Sequence, residues 1–171
     1  LELLKPELVF VDIDAEDTED LFRQMQVRLD AMGYIKDNWL DAMLERERSY
    51  ATGLQTPTIG VAIPHADNCV NEAYIAVIKP VKSVTFQPTG GIGDEVEAEL
   101  VINLGIMREG GQVEMLQALM RIFMDDAAVA DIMAQNTPED LVTTIKLTSR
   151  RHACENRRRG LGRHRIHAVA V

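Results

Sequence analysis

His65, Asp67 and Cys69 alternate along the chain, and an apolar run, Ile59-Gly60-Val61-Ala62-Ile63-Pro64, delivers the histidine. Three chemistries can use such a stretch. On a continuing strand the three side chains would share one face, and each is a zinc-ligand type. Asp67-Asn68 is turn chemistry that would scatter them, and no His-x-x-x-His or Cys-x-x-Cys pair supports a metal. A second chemistry makes Cys69 a nucleophile with His65 as its base. That needs a fold that brings the two together and an oxyanion hole, and an ordinary free thiol is the plainer role. The third makes His65 itself the nucleophile, toward phosphorus. A neutral imidazole has one free lone pair and titrates near pH ~6.5. It then needs a fixed tautomer, exclusion of water, and donors that hold the phosphoryl oxygens.

Arg46 and Arg48 lie at the end of a predicted helix, just before the turn into the histidine-bearing strand. Either could return over the site and grip phosphate bidentately. At ~4 Å and an effective dielectric of ~20, each unit-charge interaction is worth roughly 4 kcal/mol. The same arginines equally suit a solvated helix end, where the helix dipole favours them. Pro64, with no N–H and a fixed φ, belongs at a strand edge or end, which puts His65 at an exposed rim of a sheet. Periodicity does not decide among these uses.

The elements that must position these residues follow from spacing. Glu7 to Asp14 reads as a first strand. Asp17 or Thr18 caps a helix carrying Leu21, Phe22, Met25, Leu29 and Met32, which Gly33 ends. Asp37 caps a second helix with Trp39, Leu40, Met43 and Leu44 inward, closed by Gly53. Strands are expected over 59–63, 74–79 and 84–87, then a glycine-rich loop over 89–94. That loop is a poor nucleotide site, because no Lys-Ser/Thr pair follows it. Glu99 to Met107 is nearly continuous in apolar residues and predicts a central strand buried on both faces. After Gly110-Gly111 come a helix with Leu116, Leu119, Met120 and Phe123, a short helix around Val129 to Met133, and a third opened by Thr137-Pro138. This order predicts an α/β domain with one central mixed sheet flanked by helices.

The 171 residues suffice for one domain that buries roughly 70% of its unfolded surface. Of the 18 basic residues, seven are arginines from Arg150 onward, a segment with one acid, Glu155; the remaining body holds 11 basic and 26 acidic residues. An acidic body argues against a nucleic-acid footprint and suits a basic protein partner. From Ser149 the apolar period stops, so residues 1–149 read as the domain. Residues 150–171 read as a basic tail, disordered or non-native, without helical or strand pattern. No apolar run reaches the ~18 residues of a membrane span, and the start does not resemble a signal peptide. With only two cysteines, the expected setting is reducing and cytoplasmic.

Arg46-Glu47, then Thr52-Gly53-Leu54, then Gly60-Val61-Ala62-Ile63-Pro64-His65 resembles the active-site signature of enzyme IIA domains of the fructose/mannitol group in the bacterial phosphoenolpyruvate:sugar phosphotransferase system. The wording around Gln55 to Asp67, with Val113 to Phe123, is most similar to galactitol-type members. The resemblance implies that His65 accepts a phosphoryl group from phosphorylated HPr and passes it to a cysteine of a IIB protein or domain. IIB would in turn serve a membrane IIC component that takes up a sugar or polyol. It implies that Arg46 holds the phosphoryl group, that Thr52 starts the active-site turn, and that no metal, nucleotide or other cofactor is needed. Mannitol- and fructose-type members usually carry a second histidine where this chain has Gln112. A glutamine amide can donate to a phosphoryl oxygen but carries no charge, and galactitol-type members share it. The rival reading is a regulatory, nitrogen-related IIA protein that signals through the same histidine, and a third is a non-catalytic binding module.

Overall fold

The computed structural model describes residues 2–107 and 112–164, apart from the side chains of residues 112 and 161–164. In chain order the elements are β1 (Leu4–Phe10), α1 (Thr18–Ala31), α2 (Trp39–Ser49), β2 (Gly53–Gln55), β3 (Gly60–Ala62), β4 (His65–Ala66), β5 (Tyr74–Ile78), β6 (Val84–Phe86), β7 (Val96–Gly105), α3 (Gln112–Phe123), α4 (Asp126–Met133) and α5 (Pro138–His164). The expected mixed sheet with flanking helices is present. Its path runs β1-β5-β7-β3-β2, with β4 and β6 also paired to β7.

The apolar run predicted to be central is β7, and both of its edges are taken. Along one edge lie β6 (Phe86 opposite Val96) and β5 (Ile78 opposite Val101), both antiparallel. Along the other lie β3 (Val61 opposite Leu100) and β4 (His65 opposite Leu104), both parallel. Its side chains divide between the two faces, with a register irregularity against β3 between Ala98 and Leu100. Ala98 and Val101 face a core formed with Leu21, Phe22, Met25 and Leu29 of α1 and Trp39 and Met43 of α2. Leu100, Ile102 and Leu104 face a second core with Leu119 and Phe123 of α3, Val129 and Ile132 of α4, and Leu141 and Ile145 of α5. Each such fully buried side chain contributes about 1.5–3 kcal/mol. A cap such as Asp17, which accepts from the Asp20 N–H at 2.8 Å, adds about 1. Burial on the two faces therefore dominates.

Two short strands and one helix extension depart from the sequence expectation. Gly53 opens β2 instead of closing the α2 unit, and its N–H donates to the Gln87 carbonyl at 3.0 Å. The chain also resumes pairing after Pro64, as β4. α5 does not stop near Ser149 but continues to His164. Arginine is a good helix former, so helix needs no apolar period there. His152 Nε2 also lies 3.1 Å from Asp125 Oδ2, the N-cap of α4, which ties the extension to the body. Residues 165–171 of the predicted tail, and Gly110-Gly111 before α3, lie outside the described residues.

β3 and β7 approach closely because position 60 has no side chain. A Cβ there would sit 2.2 Å from the Glu97 carbonyl oxygen, a backbone atom fixed in the sheet. Gly60→Ala is expected to lower stability by about 1–3 kcal/mol, read as a lower denaturation midpoint with an unchanged m-value.

Candidate functional site

Ile59 to Ile63 leads β3 into the sheet, Pro64 interrupts it without an N–H to give, and His65 re-enters pairing opposite Leu104. With α2 packed over β4, the histidine is not at an exposed rim as its proline suggested. It is only 8% exposed. The two-residue interruption, Ile63-Pro64, folds the chain so that His65 Nδ1 lies 2.8 Å from the Ile63 carbonyl oxygen. A carbonyl only accepts, so Nδ1 must carry the hydrogen. In the neutral ring the lone pair is then on Nε2, and among the described residues Nε2 makes no hydrogen bond. Burial is the main cause that pushes the His65 pKa below the ordinary value of 6.5. The Arg46 charge adds to it, while the Ile63 bond and Asp67 oppose it. The Ile63 bond leaves a neutral His65 one tautomer, with Nε2 unpaired among the described residues.

Arg46 comes from the last turn of α2, where the run of helix carries it toward the His65 strand. Its guanidinium stacks over the Tyr50 ring at 4.9 Å. Its Nε is buried and finds no acceptor among the described residues. A guanidinium held by a ring face, near enough to lower the imidazole pKa, with a buried donor unspent, suits a group that arrives with its own oxygen acceptors. Arg48 points elsewhere, pairing with Glu45 on the exposed face of the helix.

Thr52 is tied to Glu47. Its N–H donates to Glu47 Oε1 at 2.8 Å, and its hydroxyl donates to Oε2 at 2.9 Å. The Thr52 carbonyl accepts from the Ile63 N–H at 3.4 Å. Thr52 thus joins the end of α2 to Ile63, whose own carbonyl receives His65 Nδ1–H. Burial raises the Glu47 pKa, with the Thr52 donors and Arg46 opposing. Gln112 is the first residue of α3, and its side chain lies outside the described residues.

The two rival chemistries lose their geometry. Asn68 has φ 56°, so the turn after Ala66 separates the alternating side chains. Asp67 is exposed while Cys69 is buried, and among the described residues no three potential ligands cluster. Cys69 Sγ faces the Ala66 carbonyl at 3.6 Å, and burial, with Asp67 adding, pushes its thiol up to about 11. That thiol is no nucleophile at neutral pH.

Two features escaped sequence reasoning. Glu47 looked like one more charge on a solvated helix end, and only its distance of five residues from Thr52 hinted at the clamp. Asn103 carried a clearer signal, as the single amide inside the apolar run Leu100 to Ile106. A polar group there must have partners.

The chain matches the family described as "Phosphoenolpyruvate-dependent sugar phosphotransferase system, EIIA 2" over residues 2–147. It is similar to the galactitol-specific EIIA component of Escherichia coli, 30% identical over 90 residues, which is 52% of this chain and 59% of that protein. The chain thus spans little more than half the length of the curated relatives it matches first. Among solved structures it shares the fold of enzyme IIA-mannitol in its complex with phosphorylated enzyme IIB-mannitol from Escherichia coli. There the TM-score is 0.68 at 20% identity, over 84% of this chain and 96% of that one. It also shares the fold of the nitrogen regulatory protein IIA-Ntr from Neisseria meningitidis, with a TM-score of 0.67 at 22% identity, over 84% of this chain and 97% of that one.

A depressed histidine pKa has a stability consequence of definite sign. Below 6.5 the unfolded chain binds the His65 proton and the folded one does not, so this residue's contribution is lost as pH falls from 6.5 toward its folded value. A 15N-detected titration is expected to show His65 with a midpoint below 6.5 and its hydrogen on Nδ1. A midpoint at or above 6.5 contradicts the buried, neutral ring.

Proposed function

The chain belongs to the phosphoenolpyruvate-dependent sugar phosphotransferase system EIIA 2 family, and on that premise we propose that it is a phosphoryl carrier acting through His65. Phosphorylated HPr presents a phosphohistidine. The Nε2 lone pair of His65 attacks its phosphorus, the P–N bond to HPr breaks, and that electron pair stays on the HPr imidazole. Nδ1 keeps its hydrogen on the Ile63 carbonyl throughout, so the ring gains a phosphoryl group without having to lose a proton first. Arg46 takes up the phosphoryl oxygens with its unspent donors, and Gln112 adds a neutral hydrogen bond. In the onward step a cysteine thiolate of a IIB partner attacks the phosphorus, the P–Nε2 bond breaks and its electron pair returns to His65; IIB then serves a membrane IIC component in the uptake of a galactitol-like sugar or polyol. Exchange with HPr and IIB would place it in the cytoplasm. None of the described helices is long and apolar enough to cross a membrane.

The observation that carries this reading is the hydrogen bond from His65 Nδ1 to Ile63, because it leaves one nitrogen, and a nucleophilic one, for chemistry. Arg46 supports it. A cation that brings neutral His65 and an anionic phosphoryl group together stabilises the charge that shifts during transfer.

Phosphoenolpyruvate, enzyme I and HPr are expected to place an acid-labile, base-stable phosphate on the purified protein. His65→Ala should abolish it, and Arg46→Gln should slow it by roughly a hundredfold. Survival of the label in His65→Ala overturns the assignment. Transfer onward to a galactitol-type IIB cysteine is the expected outcome, and its failure would move the role toward signalling.

A further inference from the structure

Asn103 lies near the C-terminal end of β7 with no exposure, among residues that are otherwise apolar. Its amide is the end of a buried chain of hydrogen bonds. Trp39 Nε1 donates to the Tyr74 hydroxyl at 3.1 Å, that hydroxyl donates to Asn103 Oδ1 at 2.6 Å, and Asn103 Nδ2 donates to the Pro64 carbonyl at 3.0 Å. The direction is forced at both ends. An indole nitrogen can only donate, so the Tyr74 oxygen accepts there and spends its own hydrogen on Asn103; a carbonyl can only accept, so the amide turns its nitrogen to Pro64. Burial pushes the Tyr74 pKa up, which keeps that hydrogen in place.

The ring that carries the hydroxyl has little freedom. Tyr74 is opposite Gly105 in the sheet, and a Cβ at Gly105 would stand 2.3 Å from Tyr74 Cδ1, so the ring fills the place of the missing side chain. The edge of the Tyr34 ring also packs against it, with centroids 5.5 Å apart. The Pro64 carbonyl receives a second, longer bond from the Leu104 N–H at 3.3 Å. This carbonyl belongs to the peptide that joins Pro64 to His65. These two bonds hold the carbonyl end of that peptide against β7.

We propose that the Tyr74–Asn103 pair is a positioning unit for His65: it grips the Pro64 carbonyl, and through the Pro64–His65 peptide it holds the imidazole where Nδ1 reaches the Ile63 oxygen. Its effect on phosphotransfer rests on the carrier reading above; its effect on the ring does not. Neither residue touches the reacting nitrogen. The proposal assigns the second face of the site to the sheet itself, with α2 supplying the phosphoryl ligand and β5 and β7 supplying the alignment of the nucleophile.

The test compares wild type, Asn103→Ala, Tyr74→Phe and, as a core truncation remote from this chain, Ile145→Ala. The phenylalanine keeps the ring over Gly105 and removes only the hydroxyl. Long-range 1H–15N spectra of the histidine ring, thermal midpoints and rates of phosphoryl transfer from phospho-HPr are measured on each. Wild type and Ile145→Ala are expected to hold the hydrogen on Nδ1, whatever stability the latter loses. Asn103→Ala and Tyr74→Phe are expected to show mixed tautomers, with transfer slowed roughly ten- to a hundredfold in Asn103→Ala. A folded Tyr74→Phe with the wild-type tautomer overturns the proposal, and so does an equal change in Ile145→Ala. If Asn103→Ala does not fold, Tyr74→Phe decides by the same criterion. If wild type accepts no phosphoryl group, the carrier reading falls, while the ring spectra still decide the positioning claim.

Discussion

The hydrogen bond between His65 Nδ1 and the Ile63 carbonyl is the constraint on which the rest of the site depends. It spans two residues, so it forms only if the backbone turns at Pro64 while Ile63 stays bonded to Thr52 and His65 stays in register with β7. Ile63 is anchored from the α2 side by the Thr52 carbonyl, and His65 from the β7 side by Leu104. Pro64 between them makes the turn possible because it removes one ladder donor at the position where the strand must bend. The result is a side chain whose chemistry is chosen by its backbone: the same ring with its hydrogen on Nε2 would present no lone pair to a partner.

The charges around the ring are arranged to keep it neutral and to welcome an anion. Burial disfavours the imidazolium, and Arg46 adds to that. Arg46 covers the ring face of Tyr50, and the neighbouring Glu47 carboxylate is occupied by two Thr52 donors. With both Glu47 oxygens engaged by Thr52, the Arg46 Nε remains without an acceptor among the described residues. The Thr52 clamp thereby does two jobs, anchoring the turn into β2 and keeping an adjacent carboxylate occupied.

Much of this was legible in the sequence, and the remainder was not for identifiable reasons. The long helices and β7 were readable because their apolar residues repeat over ten or more positions, and each buried face contributes enough free energy to settle the conformation. β2 and β4 were not, since they have three and two residues and exist only because β3 and β7, respectively, offer them an edge. The placing of His65 at a rim failed for the same cause, as Pro64 reads as a strand end when the resumption after it depends on a distant partner. Arg46, Thr52 and His65 stood out from residue types at family spacing, and the fold brings the end of α2, the turn into β2 and β4 together. Their division of labour was not legible, because the Glu47–Thr52 bonds depend on where the end of α2 meets β2. The helical stretch after Ser149 was missed because it has no apolar face to announce it.

The central claim is that the backbone fixes which nitrogen reacts, and the regiochemistry of phosphorylation tests it most directly. Uniformly 15N-labelled protein, phosphorylated through enzyme I and HPr, carries one-bond 31P–15N coupling to the modified nitrogen of His65. The account predicts that coupling on Nε2, with Nδ1 still bearing hydrogen. A phosphoryl group on Nδ1 would contradict it, since that nitrogen could not then donate to Ile63.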